Sequence, residues 1–564
     1  MRIKAITLEN FKGVRDPVRI ELKPITLLFG PNSAGKSTIL QALHYLREIL
    51  ERGNLDPDLT IGGGALDLGG FKSLVHGHDL GTAIRLKLEV DLGDAVGTEV
   101  LPLNSGFHLA DHDFSELLVR YLIGESEEYQ DWAVVESIGV GLEVRWSADL
   151  RAPYVSRLEL DLNDDPVCAI VSPPAPNRAL LQDLNFDHPL LQTALDPYDP
   201  DALREQGDPL PPSPLEVALR AWSTEMSLDL VERSDLESPV RVSLETHHGA
   251  LPSLKGEVSF GLRDPDIKKA VREERTARIL AARALLNELI QGPLCIARDC
   301  LAHVLYIGPL RQIPVRAFRP RVSPDQTRWA NGLAAWDRLY TSEGSSLVDR
   351  TNDWLLNRLD TGYQIERREF LEVPLPSAFA QLFERGLTED DLPDLEELYQ
   401  ELPVRGSLGL RDVKTGVALE PSDVGVGLSQ IIPVIVAAEA TRKGLIAIEQ
   451  PELHVHPAVQ VGLGDLFAHQ LHREDQIPGE EINFLIETHS EHLMLRLLRR
   501  IRETTDQELE PGAPSLSKDD VAVYYCETRS AGIHISPPLR IDEDGEFQDR
   551  WPAGFFPERM KELI

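Results

Sequence analysis

The chain contains no run of 18 apolar residues and no basic stretch followed by an apolar one at its start. Neither a membrane-spanning helix nor a secretory leader is expected, and Met1-Arg-Ile-Lys-Ala-Ile-Thr-Leu8 reads directly as a strand. A cytoplasmic protein without membrane contact is the expectation. Cysteine is scarce: Cys168, Cys295, Cys300 and Cys526 have neither C-x-x-C spacing nor the density of a disulfide scaffold, so reduced, structural thiols are expected. Basic residues are outnumbered, 57 Lys and Arg against 92 Asp and Glu, for a formal net charge of -35. That balance argues against a surface coated in positive charge for nucleic acid. Two local clusters stand out against it, Arg311, Arg316, Arg319 and Arg321, and then Arg496, Arg499, Arg500 and Arg502 along an expected helix. They read either as ion-paired, solvated faces or as a DNA-facing groove. Internal repeats are also absent, and no heptad register in the helical part of 88–300 runs long enough for a long coiled coil, so a globular insertion rather than an arm is expected.

What is present begins with Gly30-Pro-Asn-Ser-Ala-Gly-Lys-Ser-Thr38, which fits G-x-x-x-x-G-K-[ST]. The apolar run Ile25-Thr-Leu-Leu-Phe29 precedes it, and Ile39, Leu43, Leu46 and Leu50 follow at helical spacing. A strand, a loop and a helix in that order make a phosphate cradle. Glycines let successive N–H groups turn inward, and the helix adds its positive dipole end. Asn32, Ser33, Ala34, Gly35, Lys36, Ser37 and Thr38 are the candidate phosphate-binding residues. In this reading Lys36 reaches the β- and γ-phosphates of a nucleotide, and the Ser37 hydroxyl ligates Mg²⁺.

At 564 residues, with 42% hydrophobic and 26% charged composition, the chain is expected to be globular with more than one lobe. Composition divides it into 1–87, the first strands and the phosphate loop; 88–300, a globular α+β insertion; 301–500, where α/β character resumes; and 501–564, a short α+β region. Within the insertion, Ser172 to Pro214 is rich in Pro and Asp and reads as a loop or cover, and Ile267 to Ile290 reads as a helix.

Three further motifs fall in the third segment. Leu445-Ile-Ala-Ile448 is a buried-strand run that delivers Glu449 to the metal side of a nucleotide site, as a Walker B strand does. The next position, where a carboxylate usually orients the attacking water, is Gln450. A glutamine orients water but accepts no proton, so either turnover is slow or Glu452 acts as base. Asn483-Phe-Leu-Ile486 leads into Glu487-Thr-His489-Ser490, where His489 at a strand end is a candidate γ-phosphate sensor. Gly425, Gly427 and Ser429, ahead of the apolar helical run Ile431 to Ala440, form a second anion-binding N-terminus. One chain needs only one P-loop, so this second cradle is expected to meet a partner subunit's phosphate; the plainer reading makes Ser429 an N-cap.

The order of these motifs resembles the ABC-type ATPases of the SMC and RecF group. Leu8-Glu-Asn-Phe11, the Gly30–Ser37 loop, Tyr306-Ile-Gly-Pro-Leu-Arg311, Glu449-Gln-Pro-Glu-Leu-His-Val-His-Pro457 and Glu487-Thr-His-Ser490 look most like the ATPase part of overcoming-lysogenization-defect (OLD-like) proteins. The tail, Ile541-Asp-Glu-Asp-Gly545 with Trp551-Pro-Ala-Gly-Phe-Phe556, is similar to a stand-alone subgroup with a short C-terminal domain of unknown function. The resemblance implies an α/β P-loop NTPase head with a mixed α+β insertion, ATP and Mg²⁺ as cofactors, and a dimer with ATP sandwiched between Lys36 of one protomer and Gly425, Gly427 and Ser429 of the other. It also implies genome maintenance or antiviral defence, with a separately encoded effector. In catalysis Lys36, Glu449, Gln450, Glu452 and His489 are the residues assigned, with Ser37 and Glu449 on the metal.

Two departures from the family pattern are Gln450 and the want of a clear glutamine loop, whose rough place is taken by Gly62 to Gly70, Phe71 and Lys72. Some 75 residues after His489 are too few for the nuclease domain of OLD proteins, and Asp542-Glu-Asp544 before Gly545 reads as a hairpin turn rather than as metal ligands. Arg298-Asp-Cys-Leu-Ala-His303 and the Glu452, His454, His456 set are weak nuclease and zinc patterns. Three functions follow for test: an ATPase that dimerises around ATP, an ATP-locked scaffold that recruits or restrains a nuclease or toxin, and a nuclease within the insertion.

Overall fold

The computed structural model describes residues 1–93, 135–174, 179–188, 242–260, 274–473 and 480–552, with 216 and 219 and without 58, 61, 62, 247, 317, 319, 322, 324, 325, 342, 343, 387, 389, 390 and 531. The site-bearing sheet has six strands in the order Val304–Ile307, Gly444–Glu449, Ile482–Glu487, Ile25–Phe29, Val521–Arg529 and Gly532–Ile535. The first five are parallel and the last closes the edge antiparallel. Ile25–Phe29 and Ile482–Glu487 are buried at every position, as parallel strands covered on both faces must be.

Side-chain alternation then sorts these strands between two cores. Leu28, Ala447, Leu485 and Ala522 point into the first, with the helix Ser37–Arg52 and a large antiparallel sheet. Leu27, Ile448, Ile486 and Val523 point into the second, against the helices Val426–Ala440, Pro457–Leu471 and Glu491–Thr505. The fold is an α/β P-loop architecture with the phosphate loop at the carboxyl edge of its sheet.

The antiparallel sheet has eight strands, ordered Val242–Leu244, Ala179–Gln182, Asp165–Val171, Ala152–Leu162, Ser137–Ser147, Ile84–Asp91, Arg2–Glu9 and Val18–Glu21. The chain's first strand therefore seeds a sheet that the expected insertion completes. The divisions drawn at 87, 300 and 500 fall inside the strand Ile84–Asp91 and the helices Glu274–Ala302 and Glu491–Thr505, because pairing and packing continue across each compositional change. The Ser172 to Pro214 stretch is likewise not all loop: Ala179–Gln182 pairs with both of its neighbours in the sheet, while 175–178 and 189–214 lie outside the described residues. The helix expected from Ile267 is seen as Glu274–Ala302, and 267–273 lie outside.

The C-terminal region belongs to the head. Val521–Arg529 pairs directly with the P-loop strand, and Trp551 meets the Phe29 ring edge-on with centroids 5.6 Å apart. Asp542 to Gly545 forms the expected turn, with Gly545 at φ 69 and Ile541 bridged to Phe547; 553–556 of the tail motif are outside the described residues. All four cysteines are free, and burial pushes the Cys168 and Cys526 thiols up to about 12. Among the described residues no helix is long and apolar enough to cross a membrane.

Gly30 joins the P-loop strand to its loop at φ 146, and a Cβ there would lie 2.1 Å from the Cys526 carbonyl oxygen. Gly30→Ala is expected to destabilise the chain by about 1–3 kcal/mol from the forced backbone conformation alone, read as a lowered urea midpoint.

Candidate functional site

The loop turns through left-handed conformations at Ser33 (φ 62) and Gly35 (φ 84) before the helix Ser37–Arg52 begins. No side chain caps that helix, so its first-turn N–H groups face the loop without a side-chain acceptor. Asn32 and Ser33 are exposed at the tip, whereas Ala34 and Thr38 are buried beneath it. Lys36 is 3% exposed and donates to the carbonyls of Gly30 at 3.1 Å and Pro31 at 3.0 Å. A buried ammonium, a hydroxyl and an uncapped helix N-terminus together fit a polyphosphate.

The sheet brings two carboxylates to the same point. Glu449 and Glu487 end neighbouring parallel strands as direct register partners. The Ser37 hydroxyl donates to Glu487 Oε2 at 2.6 Å and lies 3.4 Å from Glu449 Oε2. Lys36 Nζ stands 3.7 Å from Glu487 Oε1. On its other side Glu449 Oε1 accepts the Tyr306 hydroxyl at 2.8 Å. Burial, and then repulsion by Glu487, push the Glu449 carboxyl up to about 7, against the opposing hydrogen bonds of Tyr306 and Ser37 and the charge of Arg311. Arg311 is itself buried, and loss of water lowers it to about 10. Its guanidinium holds the main chain of the acidic turn, donating to the Glu449 carbonyl at 2.6 Å and the Gln450 carbonyl at 3.2 Å. Gln430 clasps Arg311's backbone in turn, through 2.6 Å and 3.2 Å contacts.

Among the described residues no group of three or more His, Cys, Asp or Glu gathers as a metal cluster. Ser37 with Glu449 nevertheless fits a hard cation such as Mg²⁺, which takes one or two carboxylates and shares the rest of its shell between water and phosphate. Sequence reasoning placed Lys36, Ser37, Glu449 and His489 near one another but gave no role to Glu487 or Tyr306, and it read Arg311 as part of a solvated or DNA-facing cluster, whereas Arg311 is buried on the carbonyls of the acidic turn. Glu487 was visible as the residue just past an apolar strand run; which neighbour that strand pairs with was not.

Glu452 does not stand free as a base. Its Oε1 accepts the His489 backbone N–H at 2.7 Å and its Oε2 the Thr488 hydroxyl at 2.8 Å, and burial raises its pKa. It holds the His489 segment to the acidic turn. His489 itself is exposed as a residue, but its ring is partly desolvated and stands beside the Lys36 charge, which together lower it to about 4. A neutral imidazole follows at ordinary pH. Gln450 adopts φ 46, with its N–H on the Glu487 carbonyl at 2.7 Å.

At the second cradle the helix begins at Gly425, which is its N-cap in place of Ser429. Ser429 lies inside the first turns, buried, with its hydroxyl 3.3 Å from the Pro421 carbonyl. Gly427 packs against the acidic turn: a Cβ there would lie 2.5 Å from the His454 carbonyl oxygen. Gly425 has open space before it, and Val426 is exposed. Of the glutamine-loop stand-ins, Phe71 is buried and Lys72 exposed, and Gly62 is outside the described residues.

The arginine clusters read mainly as ion pairs. Arg500 is buried between Asp465 and Glu503, Arg496 meets Asp465 at 3.3 Å, Arg499 pairs with Glu503, and Arg316 with Asp423 at 2.8 Å; Arg319 is outside the described residues. His456 caps the helix Pro457–Leu471, and Arg298 and His303 both bond to Asp299.

Three family models match parts of the chain: "AAA ATPase domain" over 1–57, an "AAA domain" whose description names the AbiEii toxin of a type IV toxin–antitoxin system over 322–495, and "Protein of unknown function (DUF3696)" over 516–564. Both halves of the head are thus similar in sequence to ATPase domains. Among solved structures, an Smc head bound to the C-terminal winged-helix domain of ScpA is 10% identical, with TM-score 0.36, covering 96% of this chain and 98% of that one. The SMC head domain from Thermotoga maritima is 9% identical, with TM-score 0.33, covering 95% and 99%. A Pyrococcus furiosus Smc head with an extended coiled coil, bound to the ScpA C-terminal domain, is 11% identical, with TM-score 0.33, covering 100% and 98%. No curated protein matches the chain.

The raised Glu449 carboxyl sets a pH dependence. A proton held more tightly in the folded chain than in the unfolded one stabilises most below the ordinary value of 4.5, and that contribution is lost as pH rises through about 7. In EDTA, the stability of wild type relative to Glu449→Gln is therefore expected to fall between pH 4.5 and 7, by on the order of 3 kcal/mol, in urea titrations of both proteins.

Proposed function

We propose that the chain binds ATP with Mg²⁺, hydrolyses it slowly, and dimerises around it. The observation that carries this reading is the convergence of Lys36, Ser37 and Glu449 at an uncapped helix N-terminus, from segments more than 400 residues apart in sequence. Ser37 and Glu449 would hold Mg²⁺, which when bound shields phosphate charge and orients the γ-phosphoryl group. Lys36, on leaving the Gly30 and Pro31 carbonyls, neutralises charge that develops on the phosphoryl oxygens. Gln450 orients the attacking water through its amide. His489, neutral and held by Glu452, presents its ring to the γ-phosphate as a hydrogen-bonding sensor.

The partner's contribution in such a dimer comes from the open helix N-terminus at Gly425 and Val426, because the Ser429 hydroxyl is buried. Support for a defence or DNA-maintenance setting, with a separately encoded effector, is the resemblance of the motifs to OLD-like ATPases and the AbiEii-related description of the segment 322–495. DNA is the weaker partner candidate, given the ion pairing of Arg496, Arg499 and Arg500.

One observation favours a second reading, an ATP-locked scaffold. Gln450 stands at the usual position of the base, and both oxygens of Glu452 are engaged, so no carboxylate in the turn after Glu449 is free to take a proton from water.

ATP turnover by the purified chain, with and without duplex DNA, is expected to fall by about 10²-fold or more in Lys36→Ala. Turnover that survives this change would belong to another protein, and tight ATP binding without turnover would establish the scaffold. Gln450→Glu, which restores an acid at the usual position, is expected to raise turnover by about tenfold or more; an unchanged rate would show that proton acceptance does not limit it.

A further inference from the structure

Resting on the nucleotide reading above, we infer that Glu487 is a second carboxylate of the metal pocket, one that couples cation binding to the capture of the nucleotide by Lys36. Its placement is fixed by pairing. Glu487 lies directly across from Glu449 on the adjacent parallel strand, between the Walker B strand and the P-loop strand. Its Oε2 is 2.6 Å from the Ser37 hydroxyl, closer than Glu449 at 3.4 Å. It is 6% exposed, and its side chain is held by that hydroxyl and by the Lys36 ammonium at 3.7 Å.

Lys36 has two demands on it. Without nucleotide it offsets the buried charge of Glu487 while bonded to the Gly30 and Pro31 carbonyls. To meet phosphates it must turn away, which leaves Glu487 buried beside Glu449 with no cation of the described residues near either carboxylate except the more distant Arg311. Two unpaired carboxylates at that spacing repel strongly, and one of them must be neutralised or a new cation must enter. The Ser37 hydroxyl touches both carboxylates, so a divalent cation held by Ser37 would be shared by both. Glu487 therefore opposes metal-free nucleotide by holding Lys36 back, and favours nucleotide that arrives with a cation. A residue with only a structural role produces neither effect, and a general base produces no change in binding.

The test uses the full chain as wild type and as Glu487→Gln, with ATP binding measured calorimetrically in EDTA and in Mn²⁺, and Mn²⁺ occupancy followed separately by the paramagnetic resonance of the free ion. In EDTA the variant is expected to bind ATP severalfold more tightly than wild type, which also shows that it is folded. On adding Mn²⁺ the wild type is expected to gain affinity by a factor about 10–100 larger than the variant does, with Mn²⁺ occupancy falling in parallel. Equal gains from Mn²⁺ in both proteins would overturn the inference while leaving the nucleotide site standing. Absence of ATP binding by wild type in both conditions would overturn the nucleotide reading, and this inference with it.

Discussion

Two carboxylates buried in register at the end of adjacent strands are the constraint around which this molecule is arranged. Strands of one sheet lie about 4.8 Å apart, so Glu449 and Glu487 cannot escape each other by side-chain rotation alone. Each is held by its own set of partners. Glu449 has the Tyr306 hydroxyl, from the edge strand, and the charge of Arg311 just beyond it. Glu487 has Lys36 and Ser37, from the loop and helix start that follow the adjacent strand Ile25–Phe29. Arg311 is in turn fixed by Gln430 on a helix of the opposite layer. Hence five separate stretches of sequence must be in place before the pair is tolerable.

The local parts of this arrangement were legible in the sequence. The strand, loop and helix around Gly30 to Thr38, the strand ending in Glu449 and the strand leading to His489 each follow from short-range signals: apolar runs, glycines and helical spacing. What was not legible was relational. Nothing in Asn483-Phe-Leu-Ile486 says that this strand lies between the other two, and only that order turns Glu487 from a strand end into part of the site. Tyr306 and Arg311 were noticed as a motif, yet their roles depend on the parallel register of Val304–Ile307 against Gly444–Glu449. Composition misled where pairing crossed it: the shift near 87 is real, but the strand Ile84–Asp91 joins the sheet begun by Arg2–Glu9. Ser429 was read from its place in a glycine-rich stretch, whereas helix formation from Gly425 turned its hydroxyl inward onto Pro421.

The turn after Glu449 shows how electrostatics and catalysis divide labour among neighbouring residues. Glu452 would be the obvious substitute for a missing base if sequence distance were the guide. Its two oxygens instead organise the His489 backbone and Thr488, so its charge positions the next strand's loop. Gln450, between the two glutamates, keeps the turn from gathering a third negative charge beside Glu449 and Glu487. The absence of an acid there is thus consistent with the crowding of acids around it.

The P-loop strand has as its two neighbours Ile482–Glu487 and Val521–Arg529. Its two hydrogen-bonding edges are both paired only after nearly 500 further residues have been made. At about 5–20 residues per second that wait is on the order of half a minute or longer, with a mostly apolar strand lacking both sides of its ladder. The antiparallel sheet, built largely from earlier segments, can shelter the helix Ser37–Arg52 in the meantime. The nucleotide-binding edge therefore closes late in the synthesis of the head, and a nascent chain acquires the capacity to hold a phosphate only once the strand Val521–Arg529 has been made.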